Sequence, residues 1–466
     1  MLAYTSAVDL AAAIRTKRVS SVEVTKHLLD RIARLNPDLN AYCTVTADEA
    51  LASARAADDA VLRGDKLGLL HGVPVSVKDL LGVRGVRTTS GSKLLERQIA
   101  TEDAPSVERL RQAGAVLLGK TNTPEFGWKG VTDNRVFGIT RNPWNRKLTP
   151  GGSSGGTSSA VAAGLGPIGL GTDGGGSLRI PASFCGLVGF KPSFGRVPNY
   201  PANGVDSLRH SGPITRTVAD AALALDVLAG PDERDPLTLP ESPADYLATL
   251  DQGVRGLRVA YSADLGYARV DPEVAMLCSD AARHFSASGA EVEAVEVDWS
   301  DPYECWTTFF YGGIAARLHD SLAEKGDLLD PGLRKVVDRG LKLSAVDTVN
   351  ANITRNLFWQ QVRKLFDKFD LLITPTLAVV PFAVGLDRPE SPAGAEAADL
   401  RWSPFTYPFN LTGQPAASVP CGWTHSSLPV GLQIVGRRFA DRTVLRAARQ
   451  WELIQPWADR KPPLGD

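Results

Sequence analysis

GGSSGGTSSAVAAGLGPIGLGTDGGGSLRIPA, residues 151–182, sets a Gly/Ser cluster on either side of a short helix signal and a short strand signal. Ser158–Ala163 reads as helix and Pro167–Gly171 as strand, with glycines punctuating the turn between them. Working outward, the same alternation continues. Upstream, Ser20 with Glu23 fits a capping box, and Val24, Leu28, Leu29, Ile32 and Leu35 follow at helical spacing. Ala47–Leu62 and Ser106–Ala113 read as helices. Ala115–Leu118 reads as strand, and so does Val73–Val77, an apolar run between Gly72 and the polar Lys78-Asp79. Downstream, Val218–Leu228 reads as helix. Leu257–Tyr261 and Val292–Val297 read as strands flanking the helix Pro272–Ser286. Residues 301–369 are mainly helical. Leu371–Ile373, Ala417–Val419 and Val430–Val435 supply late strands, and Arg442–Leu453 a closing helix. The pattern predicts an α/β fold with a largely parallel, buried sheet. Strands on both sides of the helical stretch favour one sheet fed from both ends, hence one domain over residues 1–466. A variable helical portion is expected around 230–370. Pro231–Pro243 reads as a surface connection and Pro389–Ala397 as a linker or loop.

Composition narrows the function. The chain has 466 residues, 43% hydrophobic and 22% charged, with 51 basic against 52 acidic residues and a net charge of -1. That balance argues against a nucleic-acid or acidic-membrane field. The five cysteines are scattered and odd in number, which argues against a disulfide framework or a Cys-rich zinc site. None of the six histidines pairs at ligand spacing, so no metal is expected. The start lacks a basic segment followed by an apolar one, and Ala160–Leu170 is too short to span a bilayer. The expectation is a cytoplasmic protein.

Several motifs match in letters and fail in context. Gly114–Thr121 spells a P-loop, but its loop positions Ala-Val-Leu-Leu are themselves a strand, and Pro124 follows where a helix should run. Gly164-Leu-Gly166-Pro-Ile-Gly169 spells the dinucleotide fingerprint with helix and strand in the wrong order. Ser90–Lys93 with Thr132–Asn134 lacks the Lys-Thr-Gly of the penicillin-recognising set. Gly151–Gly155 fits the nucleophile elbow without a strand leading in.

Ser177 is the better candidate. It ends the run Asp173-Gly174-Gly175-Gly176-Ser177, where three glycines leave the backbone N–H groups unobstructed. Consecutive N–H groups in such a turn can converge on an anion. Leu178-Arg179-Ile180 then opens a helix and places Ser177 near its positive end. A nucleophile beside a ready oxyanion hole is what acyl transfer requires. By composition alone the run also fits a flexible turn.

The 151–182 stretch resembles the signature of the amidase signature family. GVPVSVKDL (72–80), GKTNTPEF (119–126), GFKPSFGRV (189–197), FTYPFNLTGQP (405–415) and SLPVGLQIVG (427–436) resemble further blocks of that family. The resemblance covers most of the chain. It implies an α/β/α fold with a large mixed central sheet surrounded by helices. It implies that Ser177 is the nucleophile, Ser153 a bridging serine on a cis peptide, and Lys78 the base. The spacings of 75 residues from Lys78 to Ser153 and 24 from Ser153 to Ser177 agree with the family's. Gly174, Gly175 and Gly176 would form the oxyanion hole. Gly174 is a departure, since many members carry a larger residue there. Phe126, Gly127 and Trp128 fall where the family lines its acyl pocket. Asp173 and Arg179 read as a structural ion pair.

The implied activity is cleavage of a carboxamide C–N bond through an acyl-Ser177 intermediate, with anilides, carbamates and esters also allowed. Its substrate would be a small amide-type molecule. No cofactor, metal, nucleic acid or membrane is implied, and a homodimer is left open. The rival in the same family is the A subunit of a glutamyl-tRNA amidotransferase, which feeds ammonia to a partner. Its glutamine-pocket and partner-channel blocks are not seen in 300–360, a region rich instead in Trp306, Phe309, Phe310 and Tyr311.

Overall fold

Strands buried on both faces build the layers. In a computed structural model, residues 2–241, 245–390 and 400–465 are described, apart from the side chain at 323. Most of the predicted 389–397 loop and the end of the 231–243 connection lie outside the described residues.

The strands in chain order are β1 (Tyr42–Val45), β2 (Pro74–Lys78), β3 (Val116–Thr121), the small ribbon β4 (Asp133–Asn134) and β5 (Gly138–Ile139), and β6 (Ile168–Asp173). There follow β7 (Val188–Lys191), β8 (His210–Thr215), β9 (Arg258–Tyr261), β10 (Glu291–Ala294), β11 (Leu371–Pro375), β12 (Ala416–Trp423) and β13 (Pro429–Gly436). Apart from the ribbon they form one 11-stranded sheet in the order β1-β3-β2-β6-β8-β7-β12-β13-β11-β9-β10.

Leu371, Ile373, Ala417 and Ile434 face one apolar cluster, which includes helix Asp441–Ile454. Their neighbours Leu372, Ala416 and Val435 face a second, aromatic cluster formed with helix Tyr303–Lys325. A strand buried on both faces needs helices on both sides, giving the α/β/α arrangement.

The sheet is mixed rather than largely parallel. β3, β2 and β6 are mutually parallel, as are β11, β9 and β10. From β6 through β8, β7, β12 and β13 to β11 every pairing is antiparallel. The periodicity reading missed β7 and β8, and these two carry the antiparallel centre. β8 hides because Gly212-Pro213, ordinarily a turn signal, sits inside it opposite Leu170 and Gly171. β7 is only four residues long and contains a glycine.

The long predicted helices form. Ser20 and Glu23 complete a reciprocal capping box on helix Ser21–Leu39. The region 301–369 yields helices Tyr303–Lys325, Pro331–Gly340 and Ala345–Lys368.

One packing detail positions the functional residues. Helix Gly155–Ala162 lies directly on β6, because Gly169 has no side chain to hold it away. A Cβ there would lie 2.2 Å from Thr157 Cγ2. Gly169→Ala is therefore expected to destabilise the protein by about 1–3 kcal/mol, the usual cost of over-packing. Thermal or urea denaturation measures this. Wild-type stability in that variant would mean the helix is not seated this tightly.

Candidate active site

Parallel pairing of β2 with β6 brings their C-terminal ends side by side. Lys78 is the last residue of β2 and Asp173 the last of β6, so the glycine run 174–176 emerges next to Lys78. Helix Gly155–Ala162 runs back along β6, which returns Ser153 and Ser154 to the same end. Ser154 N–H donates to the Ser177 carbonyl at 3.2 Å. The Gly152–Ser153 peptide is cis, as the resemblance implies.

Lys78 is fully buried. Its Nζ lies 2.7 Å from Ser153 Oγ, 2.9 Å from Ser154 Oγ and 3.0 Å from Thr172 Oγ1. No carboxylate among the described residues is in salt-bridge range of it. Burial drives its pKa well below the ordinary lysine value; the charge of Asp173 opposes that shift and Arg209 adds to it. A neutral amine offers two N–H donors and one lone pair. Ser154 Oγ donates its own proton to the Thr172 carbonyl at 3.2 Å, so it must accept from Lys78. With Thr172 Oγ1 taking the second N–H, the lone pair is left for the hydroxyl of Ser153.

The glycine loop before Ser177 is anchored by a buried ion pair. Arg179 donates from Nε and Nη2 to the two Asp173 oxygens, each at 3.0 Å, and both side chains are inaccessible to solvent. Burial pushes the Asp173 carboxyl up, but the Arg179 charge and its hydrogen bonds hold it well below the usual range. Arg179 also donates to Gln433 and Asn410, and to the Thr406 carbonyl. The expectation of a structural pair is met by this geometry.

The three glycines are not equivalent. Gly176 N–H donates to Asp173 Oδ1 at 2.7 Å, so it is already occupied. Among the described residues the N–H groups of Gly174, Gly175 and Ser177 have no acceptor. Trp306 Nε1 donates to the Gly174 carbonyl at 2.9 Å, and its ring stacks on Phe310 at 4.7 Å. Thr406 Oγ1 donates to the Gly175 carbonyl at 2.7 Å. Both carbonyls are thereby tied back.

Ser177, Ser153, Gly174, Phe126, Gly127 and Phe310 line a cavity of about 100 Å³. Ser177 is half-buried there, and its hydroxyl makes no hydrogen bond among the described residues. Phe126 has φ +50° and Gly127 φ +74°. Glu125 pins this turn, accepting from Ser92 Oγ at 2.5 Å and from Asp330 N–H at 2.6 Å. Trp128 is placed elsewhere and lines a neighbouring cavity of about 760 Å³ with Leu400 and Val336.

Lys120, the lysine of the P-loop-like string, is buried in β3 and paired with Asp79 at 2.9 Å. Among the described residues no group of His, Cys, Asp and Glu is arranged to hold a metal, and no helix is long and apolar enough to cross a membrane. The sequence reading did not anticipate Ser154, Thr172, Trp306, Thr406 or Asn410. Ser154 sits in the quoted motif beside Ser153. Trp306 lies 129 residues beyond Ser177, with no local signal tying it to the loop.

A family model described as Amidase matches residues 23–445. The chain is 41% identical to the acylamidase of Rhodococcus erythropolis, over 99% of this chain and 98% of that protein. It is 38% identical to the A subunit of the glutamyl-tRNA(Gln) amidotransferase of Moorella thermoacetica, over 100% and 99%. Among solved structures, a bacterial aryl acylamidase of the amidase signature family superposes with a TM-score of 0.92 at 34% identity, covering 98% of this chain and 97% of that one.

The loop geometry separates two glycine substitutions. A Cβ at Gly174 meets its nearest atom, in Phe310, at 3.8 Å, whereas a Cβ at Gly175 would lie 2.6 Å from Trp306 Cζ2. Gly174→Ala is expected to keep wild-type stability. Gly175→Ala should displace Trp306, shifting tryptophan fluorescence and lowering the melting temperature. Equal behaviour of the two variants would contradict this packing.

Proposed function

The chain belongs to the amidase signature family, and from that premise we propose that Ser177 carries the chemistry, with Ser153 and Lys78 as its proton relay. The protein is a hydrolase acting on amide C–N bonds. What supports this assignment of roles is the buried Lys78 amine held by hydroxyls alone, with Ser153 at 2.7 Å.

The relay follows from that contact. Ser177 Oγ attacks the amide carbonyl carbon and passes its proton to Ser153 Oγ, whose own proton moves to the Lys78 lone pair. The negative oxygen of the tetrahedral species takes the N–H groups of Gly174, Gly175 and Ser177. Gly176 contributes by fixing the loop to Asp173. The proton then returns through Ser153 to the amide nitrogen, the C–N bond breaks and the amine leaves. Water attacks acyl-Ser177 by the same relay and releases the acid. Anilides, carbamates and esters present the same carbonyl and fall within this mechanism.

Ser177→Ala should abolish turnover, and a fluorophosphonate should label Ser177 in the wild-type protein. Peptide mapping that finds the adduct on Ser153 or Ser90 instead would overturn the assignment.

The pH dependence carries a sign. Only the neutral amine accepts a proton, so kcat/KM should rise with pH as Lys78 deprotonates in the free enzyme. Burial places that limb well below the usual lysine value of about 10.4. Lys78→Ala should cost on the order of 10²–10⁴-fold for an amide, the range for lost acid–base catalysis. Lys78→Arg should not rescue, because guanidinium stays protonated. Wild-type amide turnover in either variant sinks the role of Lys78.

A second reading is supported by the 38% identity to the tRNA-dependent amidotransferase component. Cleavage of a simple anilide by the purified single chain, without tRNA or partner, favours the hydrolase. Ammonia release that appears only with partner proteins favours the other.

A further inference from the structure

Two guanidinium groups, Arg209 and Arg317, line the Ser177 cavity, and among the described residues no Asp or Glu lines it. Arg317 projects from helix Tyr303–Lys325 with its guanidinium 4.6 Å from the Phe126 ring centroid. Among the described residues it has neither an ion pair nor a hydrogen bond. Arg209 precedes β8 and is buried. One of its nitrogens donates to the Pro201 carbonyl at 2.9 Å, and Asp206 stands 3.9 Å off. Its other nitrogens have no partner among the described residues.

Two other arginines around the glycine loop and its supporting helix are closely paired. Arg179 holds Asp173 at 3.0 Å, and Arg401 holds Asp301 at 2.8 Å. Arg317 is exposed along part of its surface yet crowded by protein atoms. That desolvation, with the charge of Arg209 and against the opposing charge of Asp206, brings it down to about 10, so it stays cationic at neutral pH. Two like charges facing one small cavity repel each other, and an anion bound between them relieves the repulsion. The planar guanidinium fork matches a carboxylate through paired N–H donors.

We propose that Arg317, backed by Arg209, forms an anion subsite of the Ser177 cavity, so that amides bearing a carboxylate a few atoms from the scissile carbonyl are preferred substrates. The proposal rests on the reading of Ser177 as the reacting centre. The cavity of about 100 Å³ keeps the distance between the two groups short. Monoamides of short dicarboxylic acids and amides of amino-substituted acids have this chemistry. The ring of Phe126, beneath the Arg317 guanidinium, offers an apolar wall to the rest of the molecule.

Two matched pairs test the proposal. Succinic acid monoanilide is compared with 4-oxo-N-phenylpentanamide, which replaces the carboxylate by a methyl ketone. Likewise 4-acetamidobenzoate is compared with 4-acetamidoacetophenone. Binding is measured by calorimetry on Ser177→Ala protein, so that turnover is not needed, and then on Ser177→Ala with Arg317→Gln. In at least one pair the anionic member should bind about ten- to a hundredfold more tightly than its neutral partner, the size of a charge-assisted contact. Arg317→Gln should remove that preference while costing the neutral partner far less. Arg317→Lys should restore part of it, because the charge returns without the fork. Equal binding within both pairs, or equal losses in both members on Arg317→Gln, overturns the subsite. Steady-state kinetics on the wild-type chain separates this from the catalytic reading. Binding of the anion without cleavage of any member sinks the role of Ser177 and keeps the subsite. Cleavage of neutral amides with no anion preference sinks the subsite alone.

Discussion

A lysine amine buried without a carboxylate is the constraint from which the site follows. Burying a charged ammonium costs several kcal/mol unless it is paired. Among the described residues Lys78 meets only hydroxyl oxygens, so the neutral amine is the form that the fold favours. Lys120, on the adjoining strand β3, shows the alternative. It is as deeply buried but has Asp79 at 2.9 Å, which keeps an ion pair. Two neighbouring buried lysines thus take opposite electrostatic solutions, Lys120 against a carboxylate and Lys78 among hydroxyls.

The second requirement is a rigid loop. Three consecutive glycines are entropically expensive to order. Here Asp173 accepts from the Gly176 and Leu178 N–H groups, while Arg179 ties Asp173 to Asn410 and Gln433. Trp306 and Thr406 hold the carbonyls of Gly174 and Gly175. With those carbonyls tied, the N–H groups of Gly174, Gly175 and Ser177, which have no acceptor among the described residues, remain available to an anion. A buried ion pair contributes little net stability by itself. Its consequence in this fold is positional.

The same loop links the proposed chemistry to the proposed choice of substrate. Helix Tyr303–Lys325 supplies Trp306 and Phe310 behind the glycines, and Arg317 two turns further on toward the cavity. One helix therefore supports the glycine loop and carries the arginine of the proposed anion subsite. Phe126 and Gly127 line the same cavity on a turn that Glu125 pins. Trp128, next in sequence, lines another cavity.

Local sequence was sufficient for the helices with caps and periodicity, such as Ser21–Leu39 and Val218–Leu228, and for the apolar strands β2, β3, β6 and β13. It was also sufficient for the candidates Lys78, Ser153 and Ser177, because each lies in a short string whose resemblance is specific. Strand β8 was hidden by its internal Gly-Pro, and the antiparallel centre of the sheet was hidden with it. Strand order and the supports from Trp306, Thr406 and Asn410 were decided only in the tertiary structure. They depend on pairings between residues far apart in the chain, which leave no local periodicity to read. The sequence alone determined which groups are the candidates for reaction. Packing determined that Lys78 is buried among hydroxyls, that Gly176 is spent on Asp173, and that Arg317 faces the cavity without a carboxylate, because burial and charge pairing are properties of neighbours in space.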